Sequence, residues 1–167
     1  PFIYHRYGGA EPLDAPWKTI DLSRHIGSGS GLGIGVASPE DDLLAMTTDD
    51  GSEGLVYFPA QDKVLSTGPM RTVGSTNEMI MPYIDAYSKH VIFADMEGNV
   101  ALFDLVNGNG KSERFTVKFS PRFIRTGWLE STWILAGDKG IMFQSLKDPA
   151  DRKVFRFVAE VTNVWVT

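Results

Sequence analysis

The chain has 167 residues, 43% of them hydrophobic and 22% charged, enough for one domain with a sizeable core. A net charge of −5 argues against a general polyanion binder, and the lack of cysteine removes disulfides and thiolate metal sites. The sequence shows no run of 18 apolar residues, no signal-peptide core and no Asn-x-Ser/Thr sequon. No membrane span is therefore expected, and a cytoplasmic or nuclear setting is favoured over secretion.

Residues 1–26 read as an N-terminal arm and a short strand. Phe2, Tyr4 and Tyr7 mix with Gly8-Gly9, Pro12 and Pro16, which disfavours a helix or long strand over Pro1–Pro16. Such a segment would lie extended on the outside of the domain or dock on a neighbouring chain. Trp17 to Ser23 alternates in the manner of a strand. Residues 27–32, beginning Gly27-Ser28-Gly29-Ser30-Gly31, form a linker, either natural or an engineered join between two segments. The spacing fails G-x-G-x-x-G from every starting glycine, and a strand follows instead of a helix, so no phosphate loop is expected there.

From residue 33 to 167 the pattern is repetitive. Leu43 to Met46 and Leu55 to Phe58 are apolar runs folded about a polar turn. The same plan returns at Val91 to Ala94 with Val100 to Phe103, and at Trp133 to Ala136 with Ile141 to Phe143. Gly54, Gly98 and Gly140, taken as equivalent turn glycines, stand 44 and 42 residues apart, a period suited to four-stranded units of about 40–45 residues. Outer neighbours complete each unit: Gly33–Ala37 and Lys63–Ser66, Met79–Ile84 and Arg114–Phe119, Phe123–Trp128 and Lys153–Val158. Glu160 to Thr167 alternates as one more strand, able to pair with Trp17–Ser23 in a fourth sheet or to close a ring.

The central hairpin, Ala94-Asp95-Met96-Glu97-Gly98-Asn99-Val100 running on to Phe103-Asp104-Leu105, resembles the WD-repeat class of β-propellers. Phe103-Asp104 stands where that family's closing Trp-Asp pair falls. The resemblance covers about residues 33–158. The Gly-His dipeptide is missing from all three units, and Tyr57-Phe58 and Phe143-Gln144 replace the closing pair in the other two. It implies an all-β chain of three propeller blades plus terminal strands. Closed rings need about four to eight blades, so another copy of the chain or the remainder of a longer one is expected to complete the assembly.

Few constellations carry chemistry. Asn109-Gly110-Lys111-Ser112 looks like the tail of a phosphate loop, but Leu105 holds the place of its first glycine and a strand follows, so it reads as a hairpin turn. His5, His25 and His90 lack metal-ligand spacing, and His90 reads as a surface or turn residue. Asp49 to Glu53 concentrates carboxylates in one turn without the alternate ligands of a calcium loop. Lys111, Arg114, Lys118, Arg122 and Arg125 interleave with Phe115, Phe119 and Phe123. Period two alone explains that, with Phe115, Val117 and Phe119 inward, so nucleic acid is not the expected partner.

The function expected from this reading is a non-catalytic scaffold that binds a protein or peptide, without a cofactor or metal. Propellers bind at loop ends, which here place Arg71, Asn77, Glu78, Asp95, Glu97, Arg122 and Asp138 at the surface to be tested. The alternatives are a glycan-binding propeller stacking Trp128, Trp133 and Trp165 on sugar faces, and an enzyme whose open cleft gathers carboxylates or histidines.

Overall fold

The computed structural model of the chain describes residues 2–5, 18–26, 31–38, 43–70, 79–80, 82–85, 89–107, 109–126, 132–148 and 150–159. Among these there is no helix. Fourteen strands form one two-stranded and three four-stranded sheets.

The first large sheet contains β3 (Leu32–Ala37), β4 (Leu44–Thr48), β5 (Gly54–Phe58) and β6 (Lys63–Ser66) in that order. The second contains β7 (Tyr83–Ile84), β8 (His90–Ala94), β9 (Asn99–Asp104) and β10 (Glu113–Thr116). The third contains β11 (Ser120–Thr126), β12 (Thr132–Asp138), β13 (Gly140–Ser145) and β14 (Arg152–Arg156). Each is an antiparallel meander with no crossover, so the all-β fold of three four-stranded repeats stands as the period predicted.

Several strand limits differ from the sequence expectation, for local reasons. Among the described residues of the segment Met79–Ile84, Tyr83 and Ile84 alone pair as a strand, with Met79 held to Asp95 by an isolated bridge. Pro82, which has no N–H to donate, directly precedes the pair. The strand placed at Phe123–Trp128 begins earlier, at Ser120, and passes a bulge between Pro121 and Phe123. The outer strands placed at Arg114–Phe119 and Lys153–Val158 are shorter and shifted towards the N-terminus, at Glu113–Thr116 and Arg152–Arg156. The arm is not wholly irregular: β1 (Phe2–His5) pairs with β2 (Lys18–Asp21), so β2 has a partner other than Glu160–Thr167, which lie outside the described residues.

Because successive side chains of a strand point to opposite faces, each central hairpin must be covered on both sides. Val91, Phe93, Ala101 and Phe103 face the first sheet and pack with Leu43, Ala45 and Val56. Their alternates Ile92, Ala94, Val100 and Leu102 face the third sheet and meet Trp133, Leu135 and Met142. The outer face of the first sheet, with Met46, Leu55 and Tyr57, is sealed by Leu22 and Ile26 from the segment following β2. Near-continuous apolar strands in the sequence follow directly from this double burial.

The turn glycines answer to close packing as much as to turn conformation. Gly98 has φ +93° and lies against the Val117 carbonyl, whose residue donates its N–H back to the Gly98 oxygen at 2.8 Å. Gly54 instead opens β5, where a Cβ would strike the Phe93 ring of the neighbouring sheet. Gly140 meets Phe119 in the same manner. The left-handed positions of those two turns are Gly51 (φ 64°) and Lys139 (φ 56°).

The Gly54–Phe93 contact predicts a coupled pair. Gly54→Ala is expected to destabilise the chain by about 1–3 kcal/mol through overpacking. In a Phe93→Leu background most of that penalty should vanish, because the ring that the new methyl strikes is gone. Urea denaturation of the four chains measures the coupling, and additive losses would refute it.

Candidate functional site

Each four-stranded unit presents two ends. One carries the turns between its second and third strands; the other carries the turns between the first and second and between the third and fourth.

The loop residues expected to bind lie mainly at the first end, and the structure gives several of them internal work. Asp95 is 1% exposed. Its Oδ1 accepts the Asn99 backbone N–H at 2.9 Å and its Oδ2 accepts from Asn99 Nδ2 at 2.7 Å, so the carboxylate closes its own turn. Glu97 stands exposed one residue before Gly98. Arg122 and Asp138 form a surface ion pair at 2.9 Å across the β11–β12 pairing. Arg71, Asn77 and Glu78 lie outside the described residues. In the turn at Asp49–Glu53, Asp50 Oδ1 accepts from the Thr48 hydroxyl at 2.6 Å and from Ser52, so those carboxylates also organise a turn.

At the opposite end, a cleft of about 200 Å³ opens between the second and third sheets. It is lined by His90, Leu102, Asp104, Lys111, Glu113, Ser145 and Leu146. Antiparallel register sets His90, at the start of β8, directly beside Asp104, at the end of β9. Behind His90, Asp85 directly follows β7, and its buried Oδ2 lies 2.7 Å from His90 Nδ1, while its Oδ1 accepts the Lys89 N–H at 2.7 Å. An ionised carboxylate only accepts, so Nδ1 carries the proton of this bond and Nε2 is the ring nitrogen left over.

Burial by itself would raise the Asp85 pKa. The His90 and Lys89 hydrogen bonds and the neighbouring imidazole outweigh it, and the group ends below the ordinary carboxylate value. Asp104 also sits below that value: desolvation opposes, and the Asn107 and Val106 donors, at 2.8 and 2.9 Å from Oδ1, prevail. On the far wall, the Arg152 guanidinium holds Glu113 at 2.6 Å, the buried Gln144 at 2.5 Å and the Phe115 ring face at 3.5 Å.

His90 is therefore not the surface or turn residue that its place in the sequence suggested: its side chain is 14% exposed and faces two carboxylates. An Asp and a His five positions apart across a strand connection are a visible signal, but it means little until the hairpin brings Asp104 alongside. Trp133 is fully buried between the second and third sheets, so it cannot stack on a sugar. Trp128 and Trp165 lie outside the described residues.

Three antiparallel four-strand meanders, packed face to face with β3 against β7, are blades of a β-propeller. The sequence matches no protein-family model and no curated protein. Solved structures do resemble it in fold. A protein from Lactobacillus plantarum superposes with TM-score 0.56 at 13% identity, over 96% of this chain and 49% of that one. The β-propeller domain of Cps50 (Swd1) from Myceliophteria thermophila gives 0.54 at 12% identity, over 75% of this chain and 38% of that one. The periplasmic gluconolactonase of Pseudomonas aeruginosa gives 0.52 at 14% identity, over 80% and 40%. The chain thus spans less than half the length of each of these structures.

The Asp85–His90 pair has a measurable acid signature. A carboxylate whose folded pKa is lowered adds stability that is complete above its unfolded value of about 3.9 and is lost as pH falls through the lower folded value. Asp85→Asn, uncharged throughout, should lose stability at neutral pH by about 1–3 kcal/mol and show a flatter decline below about pH 4 than the parent chain. Denaturant midpoints measured from pH 7 to pH 3 decide it; parallel curves would remove the pair from the stability of the fold.

Proposed function

We propose that this chain is a propeller-type interaction module, of WD-repeat-like design, that binds a protein partner and carries out no chemistry of its own. The observation that supports this reading is the outer strand of the third blade. Around β14, Val154, Phe155, Phe157 and Val158 are 47%, 48%, 46% and 98% exposed. The equivalent strands of the other blades do not show this: Val64 and Leu65 of β6 are half-buried, and Phe115 of β10 lies under the Arg152 guanidinium. β14 is also a sheet edge, with Arg152, Lys153 and Arg156 beside its apolar residues. A contiguous apolar strand with a charged rim is the composition that a protein partner covers.

The partner put to the test is another copy of the chain, because the exposed apolar β14 edge is a surface on which a second copy can pair. The WD-like element of the reading rests on the second blade. There Asp95 closes the turn, and Phe103, 1% exposed, packs edge-to-face on Phe93 at 6.3 Å just before Asp104.

Light scattering over a concentration series is expected to show self-association, and the Phe155→Ser/Phe157→Ser double variant should return to the monomer mass with its β-sheet circular dichroism unchanged. A chain that stays monomeric, or a variant that associates equally well, would overturn the choice of partner. The gluconolactonase among the structural neighbours supplies the control for chemistry. Hydrolysis of gluconolactone by this chain should match the buffer rate, and clear acceleration would displace the scaffold reading.

A further inference from the structure

We infer that the cleft beside His90 is a binding site for a primary ammonium group on a short aliphatic stem. The site lies at the end of the blades away from the turns expected to bind, and its chemistry owes nothing to the apolar β14 strand.

Its walls are matched to that ligand. Asp104 and Glu113 contribute carboxylates, which only accept hydrogen bonds. His90 has Nδ1 held by Asp85, so the group it has left to offer is Nε2, an acceptor in the neutral ring. Ser145 Oγ takes the Lys147 and Asp148 N–H groups at 3.2 Å each and closes the rim. Leu102, 7% exposed, and Leu146 supply an apolar wall for methylene groups. An ammonium with three N–H donors is the small group that answers several acceptors at once, whereas a ligand carboxylate would meet Asp104 and Glu113 with like charge.

One cation of the chain, Lys111, lines the same cleft. It sits on the exposed β9–β10 connection, with its backbone N–H on Asn109 at 3.3 Å. Lys111 is thus placed to compete for these acceptors, and an external amine gains when it is removed. Glu113 is already shared with Arg152; Asp104 Oδ1 takes the Val106 and Asn107 N–H groups, and its Oδ2, with a longer 3.2 Å bond from Asn107 Nδ2, is the main anionic contact.

The ammonium can come from a free small amine or from a lysine side chain of a bound protein. Two probes separate these sources: n-butylammonium, and a tripeptide Gly-Lys-Gly with both termini blocked. Each is titrated into the intact chain while the His90 imidazole resonances are followed by NMR, with n-butanol as the uncharged control. Ligands this small should bind with a Kd on the order of millimolar. Butylammonium binding, with butanol inert, supports a free-amine site; binding of the peptide alone assigns the site to a lysine on a protein partner.

Asp104→Asn should weaken either probe about tenfold, equivalent to about 1.4 kcal/mol. Because Asp104 also caps its own turn, Lys111→Ala serves as the independent variant. It leaves the turn intact and should tighten binding about two- to fivefold by removing the competitor. Unmoved His90 resonances with both probes, equal response to butanol, undiminished binding by folded Asp104→Asn, or weaker binding by Lys111→Ala would each overturn the assignment. Phe155→Ser/Phe157→Ser should bind the probes as the parent chain does, so failure of the self-association reading and failure of this site are separately visible.

Discussion

The structure depends on the contact made when a sheet lies flat against the next one with a fully buried aromatic ring between them. Phe93 projects from β8 into the space that Gly54 leaves open on the first sheet, and Phe119 occupies the corresponding space over Gly140 on the third. Interiors pack near crystal density, so a ring accepted on one side demands a missing side chain on the other. That reciprocity sets the distance between neighbouring sheets. It also turns three separate meanders into one stack, since none of them could bury both faces alone.

From this stacking follows the asymmetry of the two flanks. The outer face of the first sheet is closed within the chain by Leu22 and Ile26, both buried. At the other flank Phe143 and Phe155 meet edge-to-face at 6.0 Å, while Phe155 and Phe157 remain about half exposed. A sheet edge with apolar residues on it is in general a place where pairing with another chain is favourable, and here Arg152, Lys153 and Arg156 beside it bond to Glu113, Asp151 and the Lys118 carbonyl of the same chain.

Polar chemistry is pushed to the ends of the blades by the same constraint. Among the described residues the side chains packed between the sheets are mostly apolar, and the buried Gln144 bonds to Arg152. At the ends, carboxylates have two kinds of use. Asp95 and Asp50 close turns, and their hydrogen bonds stay within a few residues of sequence. Asp85 and Asp104 do the same for their own connections, yet they also frame His90, and so their turn-capping leaves a charged cleft between two blades.

How much of this was legible in the sequence varies with the range of the interaction. The hairpins at 43–58, 91–103 and 133–143, their period, and the polar character of the turns at Asp49–Glu53 and Asn109–Ser112 were all readable, because strand alternation and turn chemistry act over a few residues. Strand limits near Pro82 and Pro121 shifted, since a missing N–H or a bulge is decided by what the neighbouring strand offers. The cleft was not readable. It needs His90 opposite Asp104 across a hairpin, and Ser145 and Leu146 from another blade, which lie some forty residues further on. The sequence by itself determined that the chain folds into repeated four-stranded sheets, because a period of two residues nested in a longer repeat admits little else. Only the tertiary structure decided that Asp95 is buried in its turn, that Trp133 is closed off between sheets and that His90 lines an open cleft, because side-chain exposure depends on how closely one sheet approaches the next.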